Sequence, residues 1–134
     1  KIKHFCKINQ LKFYLANNIK LAITLNLDGA YIPSFVKSLG VKNYNLRKGF
    51  LIMGSAHNIY QIRQKEKQNI RLLFLSPLFK TKNYNEGLGI IKFNFLSQLS
   101  KKKIIALGGI NEKNLKKLKI TNIYGFSGIS YFFK

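Results

Sequence analysis

The run Lys103-Ile104-Ile105-Ala106-Leu107-Gly108-Gly109-Ile110, followed by Asn111 and Asn114, has the residue order that most directly suggests chemistry. Apolar residues that run into a glycine pair and a polar turn describe a buried parallel strand handing backbone N–H groups to an anion where a helix opens. Phosphate is the anion such a turn commonly holds, and a plain tight turn after a strand is the alternative reading of the same glycines. His57, which follows an apolar run and Ser55, is the candidate acid/base group, with capping or packing at a helix start as its alternative. Ser55 and Thr81 offer hydroxyl donors, or simply turn and capping bonds.

Charge adds a second possibility. The 134 residues carry 24 Lys and Arg against four Asp and Glu, a formal net charge of +20, which invites a nucleic-acid or anionic-membrane reading. Arginine, the better reader of phosphate and guanine, occurs only at Arg47, Arg63 and Arg71. Lysine is abundant alongside asparagine, isoleucine and phenylalanine, so a general bias in residue usage accounts for it as well as a nucleic-acid surface does. The carboxylates are Asp28, Glu66, Glu86 and Glu112, few enough that a site needing two of them close together has little to draw on.

One cysteine, Cys6, cannot form an internal disulfide, and no run of apolar residues is long enough to span a membrane. These observations predict a cytoplasmic protein with no membrane association. At 46% hydrophobic content the length suits a single domain over residues 1–134 with one core.

The elements that must position those residues alternate along the chain. Ile2 to Ile8 reads as the tail of an amphipathic helix, and Leu11 to Leu15 as a strand. Asn17 is a candidate cap for a helix carrying Ile19, Ala22 and Leu25, ahead of a short strand Gly29 to Ile32 that Pro33 ends. Phe50 to Gly54 is a third strand. Asn58 and Gln61 then have the spacing of a capping box.

Arg71 to Leu75 makes a fourth strand, followed by a long polar loop from Phe79 to Gly89 of the kind that often carries function. A helix with Phe93, Phe95, Leu96 and Leu99 on one face ends at Lys101-Lys102-Lys103, where cations complement the helix dipole. Strand Ile104 to Leu107, a helix with Leu115, Leu118 and Ile120, and a strand Ile123 to Phe126 complete the pattern. No hairpin signal separates these strands, so the alternation predicts an α/β fold with a parallel sheet.

Several motifs narrow the fold further. Leu27-Asp28-Gly29-Ala30-Tyr31-Ile32, after a helix with Leu21-Ala22, resembles the A-D-G-V-H-L strand of the thiamine phosphate synthase/TenI family. Ser55-Ala56-His57 is similar to that family's S-x-H, and Ser76-Pro77-Leu78-Phe79-Lys80-Thr81 to its G-P-x-F-x-T loop. Ile105-Ala106-Leu107-Gly108-Gly109-Ile110 resembles its A-I-G-G-I, and Gly128-Ile129-Ser130 its closing V-V-S. The motifs occur in family order, and the resemblance covers nearly the whole chain.

The resemblance implies a (β/α)8 TIM barrel of roughly 200 residues, here an incomplete barrel of about six parallel strands, the third to the eighth. Since the chain starts at Lys1 without an initiating methionine, it is expected to be a partial version of a full barrel; strands supplied by a partner chain, or a degenerate smaller fold, are the other options. Such barrels hold phosphate at the C-terminal ends of their strands. By resemblance, a thiazole phosphate would be bound by Thr81, Gly108, Gly109, Ile129 and Ser130, and a pyrophosphate by Ser55.

In the synthase branch two aspartates hold Mg²⁺, and the matching positions here are Asn17 and Val36. The metal-free TenI branch, thiazole tautomerases, is similar at Ile32-Pro33-Ser34 and at Asn85-Glu86-Gly87-Leu88-Gly89, but the position of its proton-transferring histidine is Pro77. The expected function is thus a thiamine biosynthesis protein that takes a phosphorylated thiazole or pyrimidine, either coupling the two or isomerising the thiazole. A non-catalytic phosphate-binding relative and a basic nucleic-acid-binding domain are the alternatives, and a homo-oligomer is one way to close the ring.

Overall fold

The computed structural model describes residues 1–132, and nothing is described of the side chain of Ser130, one of the expected phosphate contacts. The elements run α1 Ile2–Ile8, β1 Tyr14–Ala16, α2 Ile19–Thr24, β2 Gly29–Ile32, β3 Leu51–Ala56, α3 Ile59–Lys67, β4 Leu72–Leu75, α4 Gly89–Leu99, β5 Lys103–Leu107, β6 Gly125–Ser127 and α5 Ile129–Phe132. Short 3₁₀ turns occupy Gly40–Asn43 and Leu115–Ile120. All strands pair in parallel with their sequence neighbours, in the order β1-β2-β3-β4-β5-β6, which is the order of a barrel wall. The wall does not close into a ring.

The two faces of this wall differ. Ala30, Ile32, Ile52, Ala56, Leu73, Leu75, Ile104 and Ala106 are buried on the face covered by helices. A Cβ at Gly54 would meet the Lys65 side chain of α3 at 3.0 Å, which identifies that face on β3. Period-2 alternation sends Tyr31, Ser55, Phe74, Ile105, Leu107 and Ser127 to the opposite, concave face. Most of these are only half-buried, because the open ring lays no second wall over them. Tyr31 and Phe74 meet there edge to face at 5.7 Å across β3.

Several local expectations change. Asn18, rather than Asn17, caps α2, its side chain accepting the Leu21 N–H at 2.9 Å, while Asn17 takes the left-handed conformation at φ 58° that asparagine tolerates. α4 buries Phe93 and Leu96, but Phe95 is 62% exposed and leaves the apolar face. The lysine run does not close α4: the helix ends at Leu99, Ser100 turns extended, and Lys103 is already the first residue of β5. The expected helix after β5 is a 3₁₀ turn, whose three-residue period keeps Leu115 and Leu118 against the core and leaves Ile120 67% exposed. α1 forms as expected yet buries none of its residues, and Ile2, Phe5 and Ile8 face outward.

Candidate functional site

Parallel pairing puts the C-terminal ends of all six strands on one rim, and the predicted site residues fall on the loops that leave it. The loops after β4 and β5 run together. Leu78 N–H donates to Leu107 O at 2.8 Å and Phe79 N–H to Gly108 O at 3.0 Å, so the ladder continues past both strands. Gly108 and Gly109 have φ of 99° and 67°, and a Cβ on Gly109 would lie 2.3 Å from Lys80 O. Backbone packing alone therefore requires both glycines. On the next loop, Gly128 approaches Ile110, with a would-be Cβ 3.5 Å from its carbonyl oxygen. Thr81, Gly108, Gly109 and the backbone of Ile129 thus sit on consecutive loops of one rim.

The long loop after β4 is tied at its base, where Leu88 N–H donates to Pro77 O and Gly89 N–H to Leu78 O. Within it, Thr81 and Tyr84 close a tight turn, and Thr81 Oγ1 accepts the Tyr84 N–H at 3.1 Å. The Thr81 hydroxyl keeps its own proton to donate. This turn folds the Tyr84 ring towards His57, with centroids 6.1 Å apart.

His57 leaves the end of β3 and is held from several sides. Its N–H donates to Gln61 Oε1 at 2.7 Å, while Gln61 N–H donates to Asn58 Oδ1 at 3.0 Å. The expected capping box thus forms with its return bond shifted one residue back, onto His57. The imidazole Nδ1 lies 2.8 Å from Ser76 O and 3.2 Å from Ser76 Oγ. Ser55, one turn of the pleat away, is buried on the concave face beside Phe74.

The turn after Gly109 is less open to an anion than its sequence suggests. Asn111 N–H donates to Asn114 Oδ1, and Lys113 N–H and Asn114 N–H donate to Asn111 Oδ1, so asparagine side chains satisfy the amides expected to face a phosphate. Asn114 Nδ2 also donates to Gly109 O at 2.7 Å. Among the described residues, no hydrogen-bond acceptor takes the Gly109 N–H.

Asn17 and Val36, the positions matched to metal ligands, line one cleft of about 210 Å³ together with Ile32, Ser38 and Tyr44. Neither supplies a carboxylate, and the Val36 carbonyl accepts instead from Lys65 Nζ and Gln68 Nε2, each at 2.9 Å. The other acids sit apart or are engaged. Asp28, at the opposite end of the sheet, accepts the Phe13 N–H at 2.9 Å and pairs with Lys12; that amide bond and the lysine hold its carboxyl below the ordinary value despite partial burial. Burial pushes Glu66 up, but the Lys101 amide and Arg63 more than offset it and lower its pKa. The donor set at Asn17 and Val36 does not fit Mg²⁺, which is usually bound through one or two carboxylates. Among the described residues, no cluster of three or more His, Cys, Asp or Glu could hold a metal.

The basic surface is also partly committed. Arg47 donates to Leu27 O at 2.8 Å and Arg63 pairs with Glu66 at 2.8 Å, so two of the guanidiniums bind within the chain. No helix is long and apolar enough to cross a membrane among the described residues.

Comparison with known proteins fixes the family. The family model described as thiamine monophosphate synthase matches residues 1–132. The chain belongs to that family. A relative from Aquifex aeolicus (strain VF5) is 32% identical over 116 residues, covering 84% of this chain and 61% of its own length. Thiamine-phosphate synthase 1 of Streptococcus pneumoniae (strain R6) is 27% identical over 135 residues, 97% of this chain and 64% of that protein. Among solved structures, the thiamine phosphate pyrophosphorylase from Pyrococcus furiosus superposes with a TM-score of 0.73 over 96% of this chain and 61% of its own, at 17% identity. That likeness confirms the barrel-type fold for this thiamine monophosphate synthase family member. The chain spans under two thirds of the length of these relatives.

Proposed function

We infer that this chain carries the phosphate-binding rim of a thiamine biosynthesis barrel and takes a thiazole phosphate there, as a cytoplasmic single-domain protein. The observation that carries the reading is the joining of the loops after β4 and β5 beyond their strands, with the Gly109 N–H lacking an acceptor among the described residues. Family membership supplies the substrate class. In this reading the Gly109 amide and the Thr81 hydroxyl donate to the phosphate oxygens, with Gly108 keeping the backbone close. The loop of Ile129 and Ser130 adds donors from the next strand. Ser55 meets a pyrophosphate from the concave face, beneath the Tyr31 and Phe74 rings, and His57 is the candidate proton-transfer group.

Synthase chemistry in the family draws on Mg²⁺ to neutralise a departing pyrophosphate, and the residues at Asn17 and Val36 do not suit it. That observation favours a second reading, a phosphate-binding relative without the coupling reaction. Isothermal calorimetry with thiazole phosphate tests the first reading: saturable heat with a stoichiometry near one is expected, and its absence overturns the proposal. Formation of thiamine phosphate from the two phosphorylated halves in the presence of Mg²⁺ would overturn the second. A second copy closing the ring edges is the oligomeric form this reading favours, and analytical ultracentrifugation measures it.

A further inference from the structure

We propose that Ser76 is a positioning residue that locks the His57 imidazole with its proton on Nδ1, so that Nε2 is the nitrogen left to accept from a protonated phosphate oxygen at the rim. The ligand half of this inference rests on the phosphate reading above; the tautomer half stands on geometry alone. A carbonyl oxygen can only accept, so the 2.8 Å approach of Nδ1 to Ser76 O requires a proton on Nδ1. The Ser76 hydroxyl, 3.2 Å from the same nitrogen, supplies a second oxygen whose lone pairs share that proton. Ser76 is buried, so both contacts are sheltered from water.

The backbone at His57 is held by Gln61 Oε1, which accepts its main-chain N–H at 2.7 Å, and the Tyr84 ring flanks the imidazole with centroids 6.1 Å apart. Among the described residues no partner takes Nε2. A neutral ring held in this tautomer carries its lone pair on Nε2 and accepts there, from a P–OH of the ligand. The carbonyl contact would survive in any residue at this position, so what the serine side chain itself adds is the hydroxyl contact.

Two-bond ¹H–¹⁵N correlation spectra test this on the whole chain, with His4→Gln leaving His57 as the single histidine. The wild-type ring is expected to show the Nδ1–H pattern without any ligand, and titration with inorganic phosphate to move Nε2 far more than Nδ1. Ser76→Ala is expected to raise the share of the Nε2–H tautomer and to weaken phosphate binding about fivefold, the worth of one modest hydrogen bond, and Ser76→Thr to restore both. An Nε2–H pattern in the wild type overturns the lock, and a Ser76→Ala spectrum identical to wild type overturns the part given to the hydroxyl. Calorimetric phosphate binding with Nε2 unmoved overturns the role of His57 while sparing the phosphate reading. No phosphate binding with the Nδ1–H pattern intact overturns the phosphate reading and leaves the tautomer lock standing.

Discussion

Lys65 Nζ donates to the backbone carbonyl of Val36 at 2.9 Å, fastening α3 to the loop that leaves β2. Lys65 is fully buried, its second acceptor is Gln68 Oε1 at 2.9 Å, and Gln68 itself reaches Val36 O and Ser38 O. No carboxylate joins this cluster, so burial lowers the lysine pKa to about 8. A neutral amine has two hydrogens for its two acceptors, which suits the site better than an ammonium with a third proton.

A stability profile against pH follows with a definite sign. Lys65 titrates at about 8 when folded and near 10.5 when unfolded, so between those values the unfolded chain binds more protons. Stability from this group therefore rises as pH goes from about 8 to about 10.5, at up to about 1.4 kcal/mol per pH unit, and is flat below that window. Urea denaturation at pH 7.5, 8.5 and 9.5 measures the rise, and Lys65→Met is expected to remove it.

Gly109→Ala and Gly89→Ala separate crowding from conformation. Both glycines have positive φ, 67° and 70°, but a Cβ at Gly109 meets Lys80 O at 2.3 Å whereas one at Gly89 meets nothing within 4 Å. Gly89→Ala is expected to cost about 1 kcal/mol from the left-handed backbone alone. Gly109→Ala should exceed it, at about 3 kcal/mol or more, because the loops after β4 and β5 must part. Denaturant midpoints on the two variants check the order; equal losses would refute the crowding argument.

Asp28→Ala removes the acceptor that ties the Phe13 amide, just ahead of β1, to the start of β2. The expected loss is about 1–2 kcal/mol for a hydrogen bond to a charged group. Because the carboxyl is held below its ordinary value, its contribution is present at neutral pH and disappears as pH falls through and below about 4. Thermal melts at pH 7 and pH 3 should therefore differ more for wild type than for the variant.

Ser55→Ala tests the concave face. No hydrogen bond to the protein engages the Ser55 hydroxyl among the described residues, so the substitution is expected to leave stability within about 0.5 kcal/mol. Direct calorimetric binding of pyrophosphate should weaken about fivefold, the equivalent of one lost hydrogen bond. Unchanged pyrophosphate affinity would remove Ser55 from the site.

Much of this arrangement could be read from residue order. Strand and helix alternation with no hairpin signal determined a parallel wall, since apolar runs such as Leu51–Ala56 and Lys103–Leu107 can pair in sequence only through helical crossovers. Local chemistry likewise determined the Asn58 cap, which depends on neighbours a few residues away.

What depended on distant neighbours was decided by the tertiary structure alone. Nothing in the residue order distinguishes Lys65 from the other lysines until packing brings the Val36 carbonyl, from a different loop, to its Nζ. In the sequence Ser76 stands only at the head of the Ser76–Thr81 motif, until β3 and β4 lie side by side and bring His57 to it. A buried strand is what the apolar runs describe, yet on the concave face Tyr31, Phe74, Ile105 and Leu107 are only half-buried while Ser55 is buried, because closure of the ring is a property of the whole sheet and not of any one strand. Periodicity records which side of a strand is apolar; where two side chains from separate elements meet is determined by packing.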